Sequence, residues 1–210
     1  MAQLGVASRR EADKLIDAGL VQINGKTATR GQKLNAGDTL SINKEAKEFS
    51  YFFYYKPRGE ETGVHKGMPG LHPIGRLDKE SEGLLVYSDD HRMVDALLNP
   101  DNKITKEYEV WTQERIFDEA EQKLKKGMRY EGVTYRAPKS VIIAPSRNKI
   151  TITLTEGKKH EIRRMLAAVK LTVTRLKRTK INGIEAPTLK PGDFKKLKGI
   201  DLQNLKQLLK

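Results

Sequence analysis

The apolar positions at the start of the chain recur at the spacing of a helix. They are Ala12, Leu15 and Ile16. The opposite face is basic and would point outward, through Arg9, Arg10 and Lys14. Ser8 precedes this run. Glu11 lies three residues after Ser8, which is the spacing of a capping box. The pattern therefore predicts an amphipathic helix that begins near Ser8 and ends at Gly19.

Short alternating segments follow this helix and predict a small sheet. Val21–Ile23 has strand alternation, and Asn24–Gly25 behind it is a strong hairpin turn. A second turn at Gly37–Asp38 precedes another short strand, Thr39–Ile42. Helix and strands together predict a small N-terminal α/β unit.

The stretch Asn43–Glu48 is polar and has no periodic apolar signal, which predicts a joint between two modules, residues 1–44 and 49–210. The aromatic run Phe49–Tyr55 follows the joint. Such a run can stack on bases, but a contiguous aromatic and apolar segment favours a buried strand. We therefore predict that this run belongs to the core of the second module.

The rest of the second module interleaves helices and strands without regular alternation. The predicted helices lie around Ala96–Leu98 (with a cap at Ser88 or Asp89), at Phe117–Lys126, Glu161–Val169 and Ile200–Leu209. The predicted strands include Tyr108–Trp111, Ile150–Leu154 and Leu171–Leu176. This order predicts an α+β fold with a mostly antiparallel or mixed sheet flanked by helices.

The net charge of the chain indicates which class of partner it binds. The 210 residues carry a formal net charge of +13, which favours a polyanionic partner. No apolar stretch reaches the roughly 18 residues that span a bilayer, and the start lacks a signal-peptide segment, so we expect no membrane partner.

The absence of cysteine fits a cytoplasmic location. The four histidines lack zinc-ligand spacing and no phosphate loop is present, so neither a metal nor a small-molecule cofactor is expected.

Two segments of the first module resemble the small RNA-binding module first known from ribosomal protein S-four. They are Ser8–Ala12 and Val21–Lys26. That module normally opens with another half helix, so its beginning is expected to be short or trimmed here. The resemblance implies that the basic face of the first helix binds RNA.

Four segments of the second module resemble the bacterial ribosomal pseudouridine synthases, in the family's order. They are Lys56–Gly59, Gly75–Leu85, Lys106–Val110 and Glu156–Met165, followed by Val173, Leu176, Arg178 and Ile181 at the expected intervals. The family isomerises a uridine of RNA to pseudouridine without a cofactor. The resemblance implies that Asp78 is the nucleophile, that Arg163 is its ion-pair partner and that Tyr108 packs on the flipped base. An isolated aspartate in a turn would otherwise be interpreted as a cap for the next element.

The basic residues complete the predicted site. Segment 157–180 is the most basic part of the chain and predicts a phosphate-contacting surface. The predicted RNA-binding residues are Arg9, Arg10, Lys14, Lys56, Arg58, Arg76, Lys158, Lys159, Arg164 and Arg178. The substrate is expected to be ribosomal RNA and the protein a monomer.

The chain departs from the family pattern at three places. Glu60–Gly63 replaces a hydrophobic-Thr-Ser ending, which leaves the contacts of that loop open, while Glu161 replaces Gln and Lys170 replaces Gly. A non-catalytic RNA-binding or ribosome-assembly factor on the same fold is the alternative function. A DNA-binding protein is disfavoured because no groove-reading helix is recognisable.

Overall fold

The computed structural model describes residues 1–2, 4–17, 19–43, 49–90, 92–143, 146–158, 160–185 and 188–209. Of the predicted joint, only Asn43 lies within these ranges. The boundary between the modules therefore stays a prediction.

The N-terminal unit is one helix against a three-stranded sheet. Helix α1 is Arg9–Asp17, and the strands are β1 (Val21–Ile23), β2 (Lys26–Thr27) and β3 (Leu40–Ile42), all antiparallel in the order β2-β1-β3. The Ser8 hydroxyl accepts a hydrogen bond from the Glu11 amide at 3.2 Å, which confirms the predicted cap. Asn24 and Gly25 have φ of 51° and 77°, the left-handed pair that a two-residue hairpin turn requires.

This unit has a hydrophobic core of its own. The cluster consists of Ala7, Ala12, Leu15, Val21, Ile23 and Ala28. The buried face of α1 supplies Ala12 and Leu15, as the helical spacing predicted, while its basic residues are exposed. The remaining core clusters are built from residues 51–205.

The second unit is a mixed sheet of nine strands with flanking helices. The strands are β4 (Tyr51–Lys56), β5 (His72–Ile74), β6 (Glu82–Ser88), β7 (Lys106–Thr112), β10 (Lys139–Ile142), β11 (Lys149–Leu154), β12 (Val173–Ile181), β13 (Ile184–Glu185) and β14 (Phe194–Lys196). Between β7 and β10 lies a separate antiparallel pair, β8 (Met128–Tyr130) with β9 (Val133–Tyr135). The helices are α2 (Arg92–Leu98), α3 (Asp118–Lys126), α4 (Glu161–Ala168) and α5 (Gly199–Lys206), with 3-10 turns at Pro100–Asn102 and Gln207–Leu209.

The main path of this sheet runs β10-β11-β7-β12-β6-β4-β14, with β13 on β12 and β5 on β6. Among these pairs, β12 with β6 is parallel and the others are antiparallel. At that parallel contact Gly83 lies against the backbone of Arg178, and a Cβ on Gly83 would stand 2.3 Å from the Arg178 oxygen. The predicted α+β class with a mostly antiparallel, mixed sheet is confirmed.

Two hydrophobic clusters fix the helices on the sheet. Helices α2 and α5 pack on the cluster that contains Phe53, Leu84 and Val86, whereas α3 and α4 pack on the cluster around Val110 and Ile152. The aromatic strand is buried as predicted, with Tyr51, Phe53, Tyr54 and Tyr55 all inside. Within the described ranges, no helix combines the length and apolar character needed to cross a bilayer.

Before α2, the Asp90 carboxylate accepts from the Arg92 amide at 3.2 Å, Ser88 belongs to β6, and the Asp89 carboxylate accepts from the Ser50 amide. The residue directly before α2 lies outside the described ranges, so the cap of this helix stays a prediction. One local prediction is wrong in its bounds. The strand predicted at 171–176 runs from Val173 to Ile181. Pairing with β7 along most of its length extends it through a basic segment that has low apolar content.

Candidate functional site

The Asp78 carboxylate stands at the turn between β5 and β6. Leu77 before it is buried, while the side chain of Asp78 is 41% exposed. The Ser81 amide donates to the Asp78 carbonyl oxygen at 2.9 Å and closes the turn. The carboxylate is thus held on a fixed backbone and remains open to a ligand.

The loop after β4 clamps this turn through backbone groups on both sides of Asp78. The Thr62 hydroxyl accepts from the Leu77 amide at 3.1 Å and donates to the Leu77 carbonyl at 2.8 Å. On the other side, the Gly59 amide donates to the Lys79 carbonyl at 2.8 Å. Glu60, a departure from the family pattern, accepts from the Tyr54 hydroxyl at 2.8 Å. Thr62 lies within the family-divergent loop yet supplies the contact that fixes Leu77.

Lys56 is a structural residue, and its prediction as an RNA contact is wrong in this structure. Its side chain is fully buried, and Nζ donates to the carbonyl of Pro57 at 2.9 Å and approaches that of Lys79 at 3.4 Å. Burial lowers the pKa of Lys56, an effect opposed by the surrounding carboxylates, Glu60 first among them. A lysine enclosed in this way ties the end of β4 to the turn that carries Asp78 and is not exposed to a phosphate.

The N-terminal end of α4 faces the same turn and brings a histidine and an arginine side chain to it. His160 Nδ1 lies 3.2 Å from Asp78 Oδ2. Arg163 Nη2 donates to the Glu80 carbonyl at 3.0 Å. Burial lowers the pKa of Arg163, while the nearby Asp78 charge raises it. The predicted ion pair between Arg163 and Asp78 is not formed in this structure. Among the described residues, the nitrogen in ion-pair range of the Asp78 carboxylate is that of His160, whereas the charge of Arg163 acts on Asp78 from farther away.

Tyr108 completes the site from the sheet. It lies on β7 opposite Ile152 of β11 and Arg178 of β12, and it packs against two of the hydrophobic clusters. A cavity of about 460 Å³ opens between these elements. Its lining includes Asp78, Tyr108, Arg163, His160, Arg76 and Lys158. The three residues predicted as catalytic thus share one cavity wall, although they are 30 and 55 positions apart in sequence.

A second carboxyl group, Glu161, is buried in the same wall. Its Oε2 accepts from the Lys158 amide at 3.0 Å. Burial raises the pKa of Glu161, an effect opposed by its bond to the Lys158 amide and by the charges of Lys158 and Lys106. The pKa of Lys106 is lowered, chiefly by burial and next by the charge of Arg178. Within the described residues, no group of three or more His, Asp or Glu side chains is arranged to hold a metal ion.

The predicted RNA-binding residues divide by location. Arg76 and Lys158 line the cavity, and Arg58 lies beside it, exposed, with bonds to Glu80 and to the Thr174 carbonyl. Arg164 points away, toward Glu131 at 3.7 Å on the β8–β9 hairpin. Lys159 lies outside the described residues.

Arg178 is the second basic residue whose predicted RNA contact is wrong. It is buried, with Nε donating to the Leu84 carbonyl at 2.8 Å. Its Nη2 is buried without a hydrogen-bond partner among the described residues. Arg178 lies opposite Tyr108 across the β7–β12 pairing and is buried there, so its side chain is not presented to an RNA backbone.

Two residues of the site were not predicted. His160 was considered only as a metal ligand, and Thr62 only as part of a divergent loop. His160 directly precedes the helix that carries Arg163, so its position beside the nucleophile could have been inferred from that assignment. The Thr62 contact joins residues 15 apart in a loop without periodic pattern, and sequence gives no signal for it.

The chain has relatives both in sequence and in fold. The sequence profile described as RNA pseudouridylate synthase matches residues 50–168, and that of the S4 domain matches residues 1–40. The chain is 32% identical to the ribosomal large subunit pseudouridine synthase B of Bacillus subtilis, over 99% of this chain and 94% of the relative. It is 31% identical to the dual-specificity RNA pseudouridine synthase RluF of Salmonella typhi, over 100% of this chain and 78% of the relative. A crystal structure of a pseudouridylate synthase has the same fold, with a TM-score of 0.70 at 22% identity over 99% of this chain and 96% of that one.

Proposed function

This chain belongs to the RNA pseudouridylate synthase family, and we propose that it converts a uridine of ribosomal RNA to pseudouridine in the cavity around Asp78. The observation that carries this proposal is the convergence of Asp78, Tyr108 and Arg163 on one cavity. A non-catalytic RNA-binding factor on this fold would have no need to keep all three in one place.

The reaction exchanges one bond for another at the same sugar carbon. The bond from C1′ to N1 of uracil breaks, the detached base turns, and C1′ bonds to C5; the C5 proton leaves and N1 takes up a proton. No atom is gained or lost overall. Asp78 supplies the carboxylate that attacks C1′ or stabilises its developing positive charge, as carboxylates do in glycoside hydrolysis.

A single reacting carboxylate suits this chemistry. A glycosidase needs a second carboxyl group to activate water, whereas here water must be excluded so that the base can add back. We propose that the flipped uridine fills the cavity and that Tyr108, which is already packed from below, forms the surface on which the base lies. Flipping costs a few kcal/mol, which contacts to the RNA backbone must offset.

Arg163 keeps Asp78 charged when the base covers it. Burial under a base would otherwise raise the pKa of a carboxylate and weaken it as a nucleophile. The guanidinium favours the charged form by its field, and its bond to the Glu80 carbonyl holds the turn that carries Asp78. Arg163 is thus a supporting charge at the back of the turn.

The RNA is held by basic residues around the cavity and on the first module. Arg58, Arg76 and Lys158 form a basic rim beside Asp78, and they are placed to contact the phosphates that flank the flipped nucleotide. Arg9, Arg10 and Lys14 offer a second contact region on the exposed face of α1. We propose that the enzyme acts as a monomer in the cytoplasm and that its chemistry uses no cofactor.

Substitution of Asp78 by Asn tests the assignment. The amide keeps the shape of the side chain and loses its charge and nucleophilicity. With ribosomal RNA from cells that lack this protein as substrate, Asp78→Asn should form no pseudouridine under single-turnover conditions, while its affinity for the RNA stays within a few-fold of wild type. Turnover by a preparation free of contaminating synthase would contradict the assignment.

A further inference from the structure

His160 is positioned to orient the nucleophile, a function that the assignment of Arg163 leaves open. Its Nδ1 lies 3.2 Å from Asp78 Oδ2, and both side chains are 41% exposed, at the mouth of the cavity. Because Arg163 bonds the Glu80 carbonyl, the direct contact to the carboxylate comes from His160.

The backbone of His160 is held in an unfavourable conformation. Its φ and ψ are 54° and 27°, in the left-handed region that costs a residue with a Cβ roughly 1–2 kcal/mol. Strained residues of this kind cluster at functional sites. Here the conformation occurs at the point where the basic turn enters α4, directly opposite Asp78.

The imidazole is also not used for capping, although His160 occupies the N-cap of α4. Side chains at this position normally accept a hydrogen bond from the first turn of the helix, yet among the described residues the His160 ring accepts none. The turn before α4 is closed instead by Glu161, which accepts from the Lys158 amide, and by the Glu161 amide, which donates to the Lys158 carbonyl at 3.1 Å. The ring is therefore available for Asp78.

We propose that His160 is a positioning residue for the isomerisation, with Nδ1–H donating to Asp78 and fixing the carboxylate toward C1′ of the bound uridine. Both the imidazolium and the tautomer with its proton on Nδ1 can make this bond. The inference rests on the proposed function, because its effect on rate requires that Asp78 be the reacting group.

Three variants separate the hydrogen bond from the backbone strain. His160→Gly removes the donor and relieves the left-handed strain, so a folding defect is not expected. His160→Ala removes the donor and keeps the strain. His160→Asn places an amide nitrogen close to the position of Nδ1, and Asn tolerates the left-handed region better than most residues do.

The measurements are the single-turnover rate of pseudouridine formation, the affinity for the same RNA and the thermal midpoint. Ribosomal RNA from cells lacking this protein is the substrate. We expect His160→Gly and His160→Ala to lose about 10- to 100-fold in rate, the effect of one hydrogen bond to a charged group, with affinity changed less than threefold. His160→Asn should recover most of the rate.

Three outcomes would overturn the proposal. The first is a His160→Gly enzyme as fast as wild type, and the second is a His160→Asn enzyme as slow as His160→Gly. A loss confined to affinity would assign His160 to RNA binding and would also overturn it. If wild type itself forms no pseudouridine, the proposed function fails instead, so the two failures are distinguishable.

Discussion

Among the single residues of the site, Asp78 combines a fixed backbone with a carboxylate that few groups contact. Three hydrogen-bonding groups hold the backbone of this turn: the Ser81 amide bonds Asp78 itself, Thr62 bonds Leu77, and the Gly59 amide bonds Lys79. The carboxylate itself remains half exposed, with His160 beside it. This combination of a fixed backbone and an open functional group is what a nucleophile for a large substrate requires.

Arg163 and Arg164 are adjacent in the chain, but their substitution by alanine should affect the rate and the RNA affinity differently. Arg163→Ala removes the charge near Asp78 and the bond to the Glu80 carbonyl, so it should lower the single-turnover rate more than the affinity. Arg164→Ala removes a half-exposed cation of the basic segment 157–180 that is turned away from Asp78, toward the β8–β9 hairpin, so it should leave the rate nearly unchanged and mainly raise the dissociation constant of the RNA. Rate and dissociation constant are measured for both variants on the same RNA. Similar changes in both quantities would show that this division of roles is wrong.

Residue type and residue location were predictable from the sequence to different degrees. Asp78, Tyr108 and Arg163 were identified from motifs, and the fold brings them together. Lys56 and Arg178 were predicted as RNA contacts because they are basic, yet both are buried. The alternation of β12 does indicate that Arg178 is buried, because Arg178 is two positions from the buried Leu176 and therefore lies on the same face of the strand. Basic character alone could not reveal that both side chains satisfy carbonyl groups inside the protein.

At the scale of elements, α4 ends in a motif that normally uses glycine. The Leu171 amide donates to the Leu166 carbonyl at 2.9 Å, and Lys170 between them has φ of 60°. This is the Schellman arrangement, in which the residue at the left-handed position is most often Gly. This chain has a lysine at that position, so the left-handed backbone lowers the stability of the folded protein at the end of the helix that holds Arg163.

Lys170→Gly should raise the stability of the protein. Relief of the left-handed strain is worth about 1 kcal/mol, which raises the thermal midpoint by roughly 2–4 °C in a domain of this size. Lys170→Ala removes the same charge and keeps the Cβ, so it serves as the matched control and should show no gain. An equal gain for both variants in thermal unfolding would attribute the effect to the lost charge.

The elements themselves were largely predictable, since apolar spacing defines them locally. The buried aromatic strand, α3, β11 and α4 were all predicted, and the structure confirms them. The full extent of β12 was not predicted, because its pairing with β7 and β6 is long-range and its composition is basic.

At the scale of the whole molecule, two sets of core residues share no member. The N-terminal unit has its cluster within residues 7–28, and the other clusters lie within residues 51–205. Every residue of the proposed catalytic site belongs to the second set of elements. We therefore expect the second module to carry out the chemistry and the first module to contribute part of the RNA affinity.

Removal of residues 1–44 tests this division. We expect the remaining chain to be folded and to modify a short model RNA slowly, with much of its affinity for ribosomal RNA lost. If each lost basic contact released one counterion, the slope of log K against log salt would flatten by roughly 0.7–0.9 per contact. Arg9, Arg10 and Lys14 are the expected contributors. An unchanged slope and affinity would show that the first module does not touch this RNA, and an unfolded fragment would show that the boundary is elsewhere.

A map of pseudouridines in ribosomal RNA from cells with and without this protein tests most directly whether it is a synthase. We expect at least one uridine that is isomerised only when the protein is present. Expression of wild type in the deficient cells should restore that modification, and expression of Asp78→Asn at the same level should not. Identical maps from both kinds of cell, or restoration of the modification by Asp78→Asn, would contradict the account.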